Sequence, residues 1–96
     1  MLFAITSMDK PGALPLRMAT REKHLAYIGE TGVAKIGGPF LDEAGGMTGS
    51  FIVIDVADMA AAKAWAGNDP YAKAGVFASS DIRPWRMTVN HCGATM

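Results

Sequence analysis

The stretch Ser50–Val56, SFIVIDV, is the strongest strand signal in the chain, and its reading decides the fold. Along Phe51, Ile52, Val53 and Ile54 both alternating faces are apolar, as in a strand buried on two sides. Just upstream, Leu41–Gly49 holds Asp42, Glu43 and three glycines, a composition suited to reversing the chain into a hairpin. Its other arm is Val33–Phe40, a weaker strand with Gly37-Gly38-Pro39 near its end. Downstream, Asp58 is placed to cap a helix running through Ala66, which Gly67 stops, and Pro70–Ala74 can add one helical turn. Val76–Val89 reads as a long last strand bent at Pro84. At the other end, Leu2–Met8 is a strand stopped by Asp9-Lys10-Pro11-Gly12. A helix from Ala13 to Glu30 follows, with Leu14, Met18, Leu25 and Ile28 on one stripe that should meet the core, and Gly29 or Gly32 ends it.

The order is β-α-β-β-α-β, an α+β ferredoxin-like pattern. Proline cannot donate to a strand ladder and is kept to edges, strand ends or bulges. Only the second and fourth strands contain one, so the first and third are central and the antiparallel sheet has the order 4-1-3-2. Two helices cover one face of such a sheet. The apolar second face of the third strand then needs a cover from outside the chain, most simply the same face of a second copy in a two-fold homodimer.

Ninety-six residues, half of them hydrophobic, with 9 basic and 9 acidic side chains, describe one domain spanning residues 1–96, with 88–96 as a loosely ordered tail. Zero formal net charge argues against nucleic acid, which demands a basic patch. No run approaches membrane-spanning length, so no membrane partner is expected. The single cysteine, Cys92, and the lack of a basic segment leading into an apolar one point to the cytoplasm.

His24 is the first candidate for chemistry, since imidazole titrates nearest neutrality and a helix would hold it rigidly. At about 100° per residue, Arg17, Arg21 and His24 share a sector of roughly 60° bordering the apolar stripe, with Arg21 inside it. A guanidinium turned toward a core costs several kcal/mol unless a carboxylate or a bound anion compensates it. The helix therefore either presents cations to an enclosed space, or lets the arginines snorkel to water or pair with Glu22, Glu30 or an acidic loop residue. Asp69 is the best-placed acid; it can cap the turn that begins at Pro70, and its second oxygen can still orient an imidazole. Spacing alone leaves open whether His24 and Asp69 touch.

Taken together, several segments resemble the YCII-related family: RMATREKHLAYI over Arg17–Ile28, Gly37-Gly38-Pro39, Gly49-Ser50 leading into the third strand, Asn68-Asp69-Pro70-Tyr71 with Ala74-Gly75-Val76-Phe77, and Ile82-Arg83-Pro84-Trp85. The resemblance covers about residues 2–87. It implies a dimeric α/β barrel in which ferredoxin-like sheets pack together, and a cleft where a histidine and an aspartate form an active-site pair, here His24 and Asp69. A related member acts as a dehydrochlorinase on a chlorinated hydroxyquinol. Around that pair, Arg17, Arg21, Ser50, Tyr71, Pro39 and Phe40 are candidates to contact a substrate. Each also has a plain structural use, in backbone bonding, packing or strand termination. Arg83 matches a family position, yet on an edge strand it can equally serve solubility. His91-Cys92 lacks partners for a metal, so no metal site is expected.

These readings converge on a small cytoplasmic enzyme in which His24 moves a proton, Asp69 steadies it and Arg17 or Arg21 attracts a small anionic or hydroxylated aromatic ligand. Elimination, isomerisation or dehydrochlorination fits that equipment. No cofactor is expected, because neither a P-loop nor a dinucleotide fingerprint is present. The alternatives are a dimer that binds a small molecule for regulation without transforming it, and a structural dimer.

Overall fold

A computed structural model describes all residues from Met1 to Met96. The elements are β1 (Leu2–Asp9), α1 (Leu14–Thr31), β2 (Ala34–Leu41), β3 (Met47–Asp55), α2 (Met59–Asn68), α3 (Pro70–Ala74) and β4 (Phe77–Trp85). The four strands form one antiparallel sheet in the order β2-β3-β1-β4, the expected ferredoxin-like arrangement. Pro39 and Pro84 both fall on edge strands, where a missing amide donor costs no ladder bond.

Strand pairing places Phe3 opposite Ile54, Ile5 opposite Ile52 and Ser7 opposite Ser50. These residues line the helix-covered face. Its apolar half packs Phe3, Ile5, Ile52 and Ile54 under Ala62 and Trp65 of α2. The reverse face carries Ala4, Thr6 and Met8 beside Val53, Phe51 and Gly49. Gly49 is obligatory there, because a Cβ at that position would collide with the Ser7 carbonyl oxygen.

Helix α1 departs from the expected orientation. Leu14, Met18 and Leu25 are 41%, 54% and 48% exposed, whereas the buried residues of the helix are Arg17, Thr20 and His24. The helix thus turns a polar stripe inward and leaves much of its apolar stripe outside. What makes this tolerable is local pairing: every inward polar side chain finds a hydrogen-bond partner, starting with Thr20 Oγ1, which donates to the Leu16 carbonyl at 2.8 Å. Further along, the Tyr27 hydroxyl donates to the Trp65 carbonyl at 2.7 Å and Trp65 Nε1 donates to Thr31 Oγ1 at 2.9 Å, locking α1 to α2. The helix ends at Gly32, whose φ of 67° suits a residue without a side chain, rather than at Gly29.

Other boundaries shift modestly. Helix α2 runs through Gly67 to Asn68, so that glycine does not stop it; Pro70 does, by pushing Asp69 into an extended conformation (ψ 128°). The Asp58 cap forms as expected, accepting from the Ala61 amide at 2.8 Å. β3 begins at Met47 and β4 ends at Trp85, since the hairpin turn is tighter than its glycine content suggested and residues 86–96 pair with no strand.

Candidate active site

One short sequence, Asn68-Asp69-Pro70-Tyr71, brings two site residues into position. Pro70 occupies the first position of α3, and Asp69 caps that helix by accepting the Tyr71 amide on Oδ1 at 2.9 Å. The same Oδ1 lies 2.8 Å from Nδ1 of His24, which α1 delivers from the opposite side. His24 and Asp69 are 7% and 3% exposed. Structural cap and imidazole partner are therefore one carboxylate, as its two oxygens and several lone pairs permit. With Nδ1 engaged, His24 keeps Nε2 for other work, and the residue lines a cleft.

Tyr71 stacks on the imidazole, with ring centroids 4.0 Å apart and planes inclined by 17°. On its ring sits the Arg17 guanidinium, 4.5 Å from the centroid. Arg17 is almost wholly buried and is held by a two-point contact with Asp9, Nε to Oδ2 at 2.7 Å and Nη2 to Oδ1 at 2.9 Å, while Nη2 also donates to Ser50 Oγ at 2.7 Å. Burial works against the guanidinium's charge, but the hydrogen bonds and negative charge of Asp9 outweigh it and raise the Arg17 pKa. Burial likewise raises the Tyr71 phenol, opposed by the nearby Arg17 charge. Tyr71 therefore stays a neutral phenol at physiological pH, and Arg17 stays a cation already matched by an acid.

The cleft has a volume of about 300 Å³ and runs between α1 and β2, bounded by Arg17, Arg21, His24, Leu25 and Ile28 on one side and by residues 34–39 on the other. Ser50, Ile52 and Tyr71 close its inner end. Every charged residue lining it is cationic: Arg17, Arg21 and Lys35. Arg17 is neutralised by Asp9, and neither Arg21 nor Lys35 makes an ion pair. The space is consequently positive and favours an anion.

Of the residues singled out from the sequence, His24, Asp69, Arg17, Ser50 and Tyr71 form one connected cluster, and Arg21 and Pro39 border the cleft. Phe40 does not. It pairs with Gly49 and sits by Met8 on the reverse face of the sheet, because one residue after Pro39 a strand points the other way. Arg83 is also remote, paired with Asp81 at 2.7 Å on an exposed edge. Asp9 was not named as a site residue, having been read as part of a turn, although an acidic loop residue was among the partners expected for the arginines. The signal was present: Phe3, Ile5, Ser7 and Asp9 alternate along one face of β1, and the polarity of the last two marks where that face leaves the core. Lys35 was missed because it lies on a weak edge strand.

No helix is long and apolar enough to cross a membrane. Comparison with known proteins agrees with the fold. The profile of the YCII-related domain matches residues 1–86. An uncharacterised protein of Haemophilus influenzae is 35% identical over 95 residues, covering 90% of this chain and 97% of that one. Protein YciI of Escherichia coli is 34% identical with the same coverage. Among solved structures, 5-chloro-2-hydroxyhydroquinone dehydrochlorinase (TftG) from Burkholderia phenoliruptrix, in complex with 2,5-dihydroxybenzoquinone, superposes with a TM-score of 0.82 at 34% identity, covering 90% of this chain and 94% of that one. An antibiotic biosynthesis monooxygenase shares the fold alone, with a TM-score of 0.58 at 12% identity, covering 93% of this chain and all of the other. With the family profile matched over nine-tenths of its length, the chain belongs to the YCII-related family.

Proposed function

We propose that the cleft binds a small, planar, anionic hydroxylated ring and that His24 transfers a proton there in an elimination or isomerisation. The observation that carries this reading is the 2.8 Å contact between His24 Nδ1 and Asp69 Oδ1. In the neutral tautomer that donates Nδ1–H to Asp69, Nε2 carries the lone pair, which is the form a general base requires. Arg21, unpaired at the cleft mouth, attracts the anion, and Lys35 adds positive charge from the facing strand. The backbone of Gly37 and Gly38 offers a wall with no side chains, suited to a flat ring.

In the dehydrochlorination that the similar TftG enzyme performs, a chlorinated hydroxyhydroquinone is the substrate. For this chain the corresponding step balances without a redox partner. One ring hydroxyl proton moves to the chlorine-bearing carbon, giving the keto tautomer. His24 Nε2 then takes a second ring hydroxyl proton, the electron pair left on that oxygen is pushed through the ring to the same carbon, and chloride departs with the C–Cl bonding pair, leaving a quinone, so the net loss is a proton and a chloride ion. The protein works as a homodimer through the reverse face of the sheet, where Phe40 and Met8 are exposed beside half-buried Phe51; Val53, on the same face, is already buried within one chain, so the second copy covers only part of what the sequence left open.

The test is chloride release and quinone absorbance on incubation with chlorinated hydroxyhydroquinones. Wild-type turnover that falls by about 10²–10⁴-fold in His24→Ala supports the assignment. Saturable binding without product, or full activity in the variant, overturns it. Sedimentation at micromolar concentration should give twice the 10.1 kDa chain mass; a 10.1 kDa species alone sinks the dimer.

A further inference from the structure

Behind the His24–Asp69 pair, on the side away from the cleft, lies a second cavity of about 10 Å³, bordered by Ser7, Ser50, Ser80 and Asp69 together with apolar Ile5 and Trp65. That volume is about the space one water needs. Both hydrogen bonds to the Asp69 carboxylate land on Oδ1, and none reaches Oδ2. No side-chain oxygen or nitrogen in the protein is both sealed from contact with a water and without a partner. Oδ2 therefore borders space that a water can touch. Asp69 lines this cavity and not the substrate cleft, so that space is here.

Hydrogen counting identifies the occupant. Ser7 Oγ and Ser80 Oγ are 2.8 Å apart, so one of the two hydroxyls donates to the other and the second hydroxyl proton remains to be given. Ser50 Oγ accepts from Arg17 Nη2, so its own proton is free as well. The cavity wall thus offers two spare donors and one spare carboxylate oxygen, and no direct bond joins them. A buried water typically makes about three hydrogen bonds. Accepting from both spare hydroxyls and donating to Oδ2, it uses every group once.

We propose that a single water occupies this cavity, with buried Ser7, Ser50 and Asp69 around it and exposed Ser80 at its rim, and hydrogen-bonds Asp69 Oδ2 to Ser50 and to the Ser7–Ser80 pair. Asp69 then receives three donors, the imidazole, the Tyr71 amide and the water, and is held in one orientation. Ser50 is a positioning residue that connects Arg17 and Asp9 to the histidine's partner. Ser80, on an edge strand across the sheet, becomes part of the site without touching the cleft. The water site follows from hydrogen bonding alone; only its consequence for turnover rests on the proton-transfer reading above.

A crystal structure at high resolution is expected to show one peak within about 2.7–3.2 Å of Asp69 Oδ2 and of two serine hydroxyls. Ser80→Ala should remove or displace that peak and move the ¹H resonance of the His24 Nδ1 proton. Ser79→Ala, one residue away on the opposite face, should change neither. A cavity without the peak in wild-type protein, or a Nδ1 proton that ignores Ser80→Ala, overturns the water site. Either failure leaves the His24 activity test standing on its own.

Discussion

The helix-covered face of the sheet is two regions built on the same strands. At one end Phe3, Ile5, Ile52 and Ile54 meet Ala62 and Trp65, an apolar core that excludes water. Only two residues further along β1 and β3, Ser7 and Ser50 face Arg17, His24 and Asp69, all of them buried. Burying the first set stabilises the fold through the transfer of apolar area, roughly 25 cal/mol per Å². Burying the second opposes folding unless each group is bonded, and no sealed polar atom lacks a partner. The lesson is a division of labour within a single sheet face: one half secures the protein, and the other accepts a desolvation cost in order to hold an acid and an imidazole at fixed separation.

The most damaging way to break this contrast is at the apolar end. Trp65→Ala should destabilise by about 3–5 kcal/mol in chemical denaturation, by leaving a cavity and freeing the Thr31 hydroxyl. A loss below 1 kcal/mol would mean that Trp65 is not part of a continuous core.

At the polar end, Asp9→Ala leaves the Arg17 guanidinium buried without its acid and should cost about 3–4 kcal/mol. Adding Arg17→Met to that variant should recover most of the loss, because a buried ion pair contributes less than its rupture costs. Equal stability of the single and double variants would contradict that account. No comparable rescue is available for Trp65→Ala, which sharpens the distinction between the two ends.

The smallest effect lies outside both regions. The amino terminus of Met1 donates to Asp55 Oδ1 at 2.8 Å and, through that bond and its charge, lowers the Asp55 carboxyl pKa. A lowered folded-state pKa means that the contribution to stability is complete above the unfolded value, about 3.9, and is lost as pH falls through the folded value. Asp55→Asn should therefore lower the melting temperature slightly at neutral pH and not at all in strong acid. A gap that persists at low pH would show that charge is not its source.

Much of this molecule was legible before its structure. Proline positions at 39 and 84 placed two strands at the edges and left the first and third at the centre, because proline's missing donor acts locally. The Asp69-Pro70 step announced a helix start with a free-standing carboxylate for the same reason. Orientation of α1 was not legible. Its leucines and methionines follow a helical stripe, yet the inward side is the one bearing Arg17, Thr20 and His24.

What the chain's own order of residues determined is the set of elements, their succession and the edge or central place of each strand, since these depend on dihedral limits and side-chain period over a few neighbours. Only the tertiary structure decided which face of α1 is buried, that Asp9 rather than a helical glutamate neutralises Arg17, and that His24 meets a carboxylate 45 positions away. Those outcomes turn on whether a polar group leaving water finds a partner, and that partner comes from a distant part of the chain whose arrival no local pattern encodes.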